Sequence, residues 1–278
     1  MGAATAALVF SRNCSRADTV STWLALITFL CFALTVVAWI LSTPRIPPEG
    51  AEERAELASH ISHELRNPLM SVKGLAATGA RLYDSMSDEE RLEFFRLIDA
   101  EATRMKTLLE ATSTALKIDA GSLRYDVRDE DLSKLVQEVA WRAPVGEHAM
   151  VVEAQDGLTA VVDRGRFAEA LANLIDNAVK YSPPDAPIEV RAYRSPDGEA
   201  VVEVVDRGPG IPPEQREAIF RRYCRWRPAG YEETPGAGLG LFIARAHVQA
   251  QEGRLDVEDE PDRGTMLRIT LSLGREHG

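Results

Sequence analysis

The run Ser21–Ser42, STWLALITFLCFALTVVAWILS, constrains this chain most, because its twenty-two residues carry no charge. As a helix it is long enough to cross roughly 30 Å of hydrocarbon. Trp23 and Trp39 stand near its two ends, where interfacial aromatics are favoured. A secretory signal peptide is the competing reading. The apolar run is long for one, and Pro44, Pro47 and Pro48 follow it instead of a small-residue cleavage site. The expectation is a short tail (1–20), a retained single-pass span (21–42) and a Pro-rich linker (43–51).

The rest of the 278 residues has ordinary globular texture, with 45% hydrophobic and 27% charged residues over the whole chain. The balance of 32 basic against 43 acidic residues gives −11, which argues against direct nucleic-acid binding. Cys14, Cys31 and Cys224 are odd in number and form no CxxC pair. Neither a disulfide framework nor a structural zinc site is expected.

After the linker, Leu57, Ile61, Leu65, Leu69, Val72 and Leu75 recur at spacings of three and four, the pattern of an amphipathic helix that fades near Tyr83. Ser87 and Glu90 form a capping-box pair that opens a second helix. Its stripe is Leu92, Phe95, Ile98, Ala102, Met105, Leu109, Thr112 and Leu116. Two such helices joined by a tight turn bury their stripes poorly alone, so an antiparallel hairpin that pairs into a homodimeric four-helix bundle is expected. From Gly121 onward the texture alternates. Strands are expected at Leu123–Val127, Val151–Glu153, Ala160–Val162, Ile188–Tyr193, Val201–Val205 and Met266–Leu271. Helices are expected at about Leu132–Trp141, Arg166–Tyr181 and Gly238–Gln251. The class is α+β, and the C-terminal part reads as a two-layer α/β sandwich.

Four stretches carry chemistry. The first is Ser62-His63-Glu64-Leu65-Arg66-Asn67-Pro68-Leu69. At about 100° per residue, His63 lies about 200° from Ile61 and so faces away from the apolar stripe. A neutral imidazole is a competent nucleophile near neutral pH. His60 shares that face but lacks the residues that follow His63, and Asn67 lies one turn further on. The second is the helix with Asn173, Asn177, Lys180 and Tyr181 on one polar face. Amide oxygens suit Mg²⁺, which shares its shell with waters and phosphates, and a lysine neutralises phosphate charge. The third is Asp206-Arg207-Gly208-Pro209-Gly210 after a strand, where a carboxylate can accept an adenine amine. The fourth is Gly236-Ala237-Gly238-Leu239-Gly240, which opens a helix and lets backbone amides approach phosphates. Gly264-Thr265 begins the last strand. Apart from the first stretch, each of these is a weak signal alone.

In this order, from about Glu52 to Leu273, they resemble the sensor histidine kinases of two-component systems. The first stretch resembles their H box. The others, with Ile219-Phe220 as the F box, resemble their N, G1, G2 and G3 boxes. The resemblance implies a dimerisation and histidine-phosphotransfer domain over 52–119 and a catalytic ATP-binding domain over 120–274. It implies His63 as phosphoacceptor, Glu64 as the group that holds or deprotonates its ring, and Asn67 as a support for phosphatase activity. It implies Asn177 as the Mg²⁺ ligand, Asn173 and Lys180 near the phosphates, and Tyr181 and Asp206 around the nucleotide, with Asp206 on adenine. Gly208, Gly210, Gly236, Gly238, Leu239, Gly240 and Thr265 would complete the nucleotide pocket. Arg225 would stabilise the γ-phosphate, and 207–240 would form a mobile lid. The cofactors implied are ATP and Mg²⁺, and the partner is the receiver domain of a response regulator.

The same fold occurs in gyrase, mismatch-repair ATPases and a heat-shock chaperone. Those ATPases resemble one another in a glutamate four residues before the Mg²⁺ asparagine. Asn173 stands there, so transfer to a positioned nucleophile fits better than hydrolysis of ATP. A bacterial inner-membrane protein with cytoplasmic catalytic domains is the expected location, since such a domain must face ATP. Arg12 and Arg16 before the span, against Arg45 after it, would favour the opposite orientation. Two rival readings are a non-enzymatic nucleotide-binding scaffold, which the intact motifs oppose, and a protein-serine kinase of the same fold, which the H-box helix pair opposes.

Overall fold

The computed structural model describes residues 51–232, 234, 236–259 and 264–275. The expected tail, span and nearly all of the linker lie outside the described residues. Among the described residues no helix is long and apolar enough to cross a membrane.

Two helices open the described chain, α1 (Ala51–Leu82) and α2 (Asp88–Asp119), and α1 continues through Pro68. A 3₁₀ turn, Tyr83–Ser85, joins them. The predicted capping box begins α2. Ser87 Oγ accepts from the Glu90 amide at 3.2 Å, and Glu90 Oε2 accepts from the Ser87 amide at 2.7 Å. Arg91 fixes the turn by donating twice to the Tyr83 carbonyl, at 2.8 and 3.1 Å. The ring of Phe94 lies where Gly79 leaves room for it: a Cβ there would come within 3.3 Å. Gly121, at φ +58°, ends α2 by turning its amide back to Ile118 O.

The segment Leu123–Val127 is not a strand, contrary to the expectation. It is held as a strap by two hydrogen bonds. The Tyr125 hydroxyl meets His247 Nδ1 at 2.9 Å, and the Asp126 amide donates to Asp163 Oδ2 at 2.8 Å. The strand begins only at β1 (Arg128–Asp131), which pairs antiparallel with β3 (Thr159–Val162). Asp131 then caps α3 (Leu132–Arg142), and Asp163 caps α4 (Arg164–Tyr181).

The remaining strands are β2 (Met150–Ala154), β4 (Ile188–Arg194), β5 (Glu199–Val205), β6 (Arg254–Asp259) and β7 (Thr265–Ser272). With α5 (Gly240–Gln249) between β5 and β6, they form one sheet of order β2-β4-β5-β7-β6, parallel only at β2–β4. β6 is an unpredicted strand. Its sequence, RLDVED, is half acidic and reads as loop, yet it pairs with β7 along its length. Helices α3, α4 and α5 pack on one face. Ile188, Val190, Val202, Val204, Leu267 and Ile269 point into a core with Phe167, Leu171, Leu174 and Leu135, all nearly or fully buried. Alternate residues form a polar lattice on the other face, where Glu203 accepts from Tyr193 at 2.8 Å and from Arg268 at 2.9 Å.

A separate, smaller cluster joins the end of α2 to the start of α5. Ala115, Leu239 and Ile243 are buried in it, packed by Ala111, Ile118, Tyr223 and Phe242. Arg222 lies 4.9 Å from the Phe242 ring centroid and pairs with Asp119.

Candidate active site

One cleft of about 350 Å³ gathers most of the predicted site residues and has walls from both the hairpin and the sandwich. Asn173, Asn177, Lys180 and Tyr181 line it from α4, with Asp206, Gly210 and Thr265 at the strand ends and Gly236, Gly238, Leu239 and Gly240 at the start of α5. Arg225 lines it from the segment between β5 and α5, and Glu64 from α1. These α4 side chains lie on one face because they recur at helical spacing, while Leu171, Leu174, Ile175 and Ala178 hold the opposite face in the core.

The floor at Asp206 is built by exclusion of water. Asp206 is 2% exposed. Its Oδ1 accepts from the amides of Gly208 at 2.7 Å and Thr265 at 3.2 Å. Burial nevertheless lifts its carboxyl to about 6, against the opposing pull of those amides and Arg207. Gly208 does not line the cleft. Its role is steric, since a Cβ there would stand 2.6 Å from the Tyr181 carbonyl and 2.8 Å from Asp206 Oδ1. Gly238, at φ +69°, passes so close to Tyr223 and Cys224 that a Cβ would meet their backbone at 2.8 Å. That approach brings the glycine-rich backbone to the α4 polar face, where Gly240 adjoins Asn173 Oδ1.

Lys180 is paired with Asp176, one turn earlier, and burial raises the hydroxyl of Tyr181 above its ordinary value. The Tyr181 ring lies 5.8 Å from that of Tyr231, a residue no motif had marked. Arg225 donates to the Thr234 carbonyl and approaches Glu64 Oε1 at 4.0 Å. Burial, and then the neighbouring Arg227, lower the Arg225 guanidinium from its ordinary value. Among the described residues no group of three or more His, Cys, Asp or Glu forms a metal cage. The paired amides of Asn173 and Asn177, beside Lys180 and the glycine backbone, instead fit a Mg²⁺ ion carried in on a polyphosphate.

The imidazole of His63 lies outside the described side chains. So does that of His60. Asn67 is exposed and does not line the cleft. The second hairpin helix supplies residues absent from the sequence motifs: Arg104, Thr107, Leu108 and Ala111 of α2 all line the cleft. Arg104 and Thr107 stand three apart on one helical face, but no conspicuous motif surrounds them.

Two family models match the chain. The one described as His Kinase A (phospho-acceptor) domain matches residues 53–121, and the one described as Histidine kinase-, DNA gyrase B-, and HSP90-like ATPase matches residues 162–275. The chain belongs to the sensor histidine kinases. It is 31% identical over 232 residues to the sensor protein KdpD of Mycobacterium tuberculosis, covering 80% of this chain and 26% of that protein. It is 32% identical over 217 residues to the signal transduction histidine-protein kinase/phosphatase MprB of a Mycobacterium species, covering 76% of this chain and 41% of that one. The chain thus spans roughly a quarter to two fifths of the length of these relatives. Among solved structures, full-length ShkA in complex with AMPPNP shares the fold, with a TM-score of 0.56 at 24% identity over 80% of this chain and 47% of that one. Within the sensor histidine kinases, a helical hairpin followed by an α/β sandwich is the arrangement found here.

Proposed function

We propose that this chain is a protein-histidine kinase that uses Mg-ATP to phosphorylate His63 and then passes the phosphoryl group to an aspartate of a response-regulator receiver domain. The observation that carries the reading is the shared cleft. Glu64, next to His63 in sequence, lines the same cavity as Asn173, Asn177, Lys180 and Asp206. A nucleotide with its base on Asp206 directs its phosphates past the α4 amides toward the hairpin wall. Transfer of this kind needs mainly alignment and charge neutralisation.

Each residue then has a task. Asp206 accepts the exocyclic amine of adenine through the oxygen its two backbone donors leave free. Asn177 would offer its amide oxygen to a Mg²⁺ carried in on the nucleotide, which offsets phosphate charge when bound, and Asn173 lies beside it near the phosphates. Lys180 and Arg225 balance the remaining negative charge. A ring nitrogen of His63 attacks the γ-phosphorus as the bond to the ADP oxygen breaks, and Glu64 accepts the proton from the other ring nitrogen. Asn67, exposed one turn beyond His63, orients a water against the phosphorylated regulator, which gives the protein a phosphatase activity as well. The domains 52–119 and 120–274 carry the acceptor and the nucleotide. Two copies pair through the hairpin, and the span at 21–42 anchors them to the bacterial inner membrane with the catalytic parts in the cytoplasm.

Incubating the full chain with γ-labelled ATP tests the reading. Acid-labile, alkali-stable label that His63→Gln abolishes is the expected result. Acid-stable label that survives His63→Gln points to hydroxyl phosphorylation and overturns it.

A further inference from the structure

Where the hairpin meets the segment between β5 and α5, three guanidinium groups, those of Arg104, Arg225 and the nearby Arg227, face one carboxylate, that of Glu64. Arg104 from α2 lines the cavity with Arg225, although the two come from different halves of the fold. Arg227 lies close enough to press on Arg225 electrostatically, and Arg104 does so more weakly. Glu64 is the carboxylate facing them, 4.0 Å from Arg225. The other acids of the cleft are engaged elsewhere: Asp176 pairs with Lys180, and Asp206 sits at the base end. Among the described residues neither Arg104 nor Arg227 makes an ion pair. Like-charged guanidinium groups around a cavity bind a ligand that brings several negative charges.

We propose that Arg104 binds the terminal phosphate of bound ATP, supplied by the second hairpin helix and completing a site that the sandwich alone leaves open. This rests on the kinase reading above and assigns that site a group from outside the nucleotide motifs. A guanidinium on the second hairpin helix, opposite Arg225 on the segment between β5 and α5, contacts the γ-phosphate from the acceptor's side. It would favour ATP over ADP whenever hairpin and sandwich are apposed, because ADP has no phosphate that reaches the α2 wall.

The test is nucleotide discrimination by the full chain. Arg104 is exposed on its helix, so Arg104→Ala and Arg104→Lys should fold normally. Titration with Mg-AMPPNP and with Mg-ADP is expected to show Arg104→Ala weakening AMPPNP about tenfold while ADP stays within about twofold. Arg104→Lys, which keeps the charge but loses the fork, should lie between. Labelling with γ-labelled ATP below saturation should fall in the same order. Equal weakening of both nucleotides, or of neither, overturns the proposal even if His63 is labelled normally, and reduces Arg104 to a solvated surface cation. Selective loss of AMPPNP in a protein that never labels His63 sustains the phosphate contact and overturns the kinase reading instead. A wild type that binds neither nucleotide overturns both.

Discussion

In the sandwich, Phe167, Leu171, Leu174, Ile188, Val190, Val202 and Ile269 are all fully buried. On the hairpin, Ile61, Met105 and Ala115 are buried while Leu92 and Phe95 are at least half exposed. Each fully buried large aliphatic or aromatic side chain contributes about 1.5–3 kcal/mol, so the sandwich has a core that can sustain it and the hairpin does not. The difference is informative because the hairpin's sequence is the more regular of the two. A stripe at helical spacing specifies a helix, but only a partner surface buries it. The exposed stripe is the physical ground for proposing a second copy.

The largest effect should come from the sandwich core. Phe167→Ala is expected to cost about 3–5 kcal/mol, read by denaturant unfolding, with loss of nucleotide binding. A cost below 1 kcal/mol would mean that the core is looser than its burial implies.

The next effect separates stability from binding. In the fold the Asp206 carboxyl is raised from its ordinary 3.8 to about 6. The folded form therefore holds the proton more tightly, and the stability this brings is complete below the ordinary value and is lost as pH rises through about 6. Asp206→Asn removes that charge cost and should stabilise the apo protein at pH 7 by on the order of 3 kcal/mol. The same substitution should weaken ATP binding strongly. The Asn oxygen is claimed by the amides of Gly208 and Thr265, so its NH₂ would face the adenine amine donor to donor. Melting curves and nucleotide titration at pH 5 and pH 7.5 check both halves, and the stabilisation should shrink at the lower pH.

A smaller effect concerns the hairpin. Phe95→Ser should weaken dimerisation about tenfold, the loss of roughly one buried aromatic contact per copy, while leaving sandwich melting unchanged. Sedimentation across a concentration series measures it. The smallest effect is expected at the join between the two regions. Asp119→Ala breaks the Arg222 pair, which is a quarter to two fifths exposed. It should cost less than about 1 kcal/mol, leave nucleotide affinity unchanged and alter the labelling rate.

The features legible in the sequence were those fixed by local chemistry. Ser87 and Glu90 satisfy each other within one turn, and the cap appears as read. The central strands announce themselves through Ile188–Tyr193 and Val201–Val205 because both pack against helices. The edges did not. Leu123–Val127 alternates like a strand, yet Tyr125 is taken by His247, a residue 122 positions away. The actual strand, Arg128–Asp131, has four charged residues and exists because β3 offers it a partner. The same holds for Arg254–Asp259. At the site, residues in glycine or asparagine motifs were found from sequence. Arg104 and Thr107 were not, because their part depends on which distant elements face the cleft.

In the proposed reaction the phosphoryl group passes from ATP to His63 through the cleft that α1 and α4 share. The most direct measurement is γ-labelled ATP and Mg²⁺ with the purified full chain, beside His63→Gln and Asn177→Ala. Acid-labile, alkali-stable label is expected on the wild type and none on either variant. Label that persists in His63→Gln, or nucleotide binding at normal affinity with no label on the wild type, would contradict it.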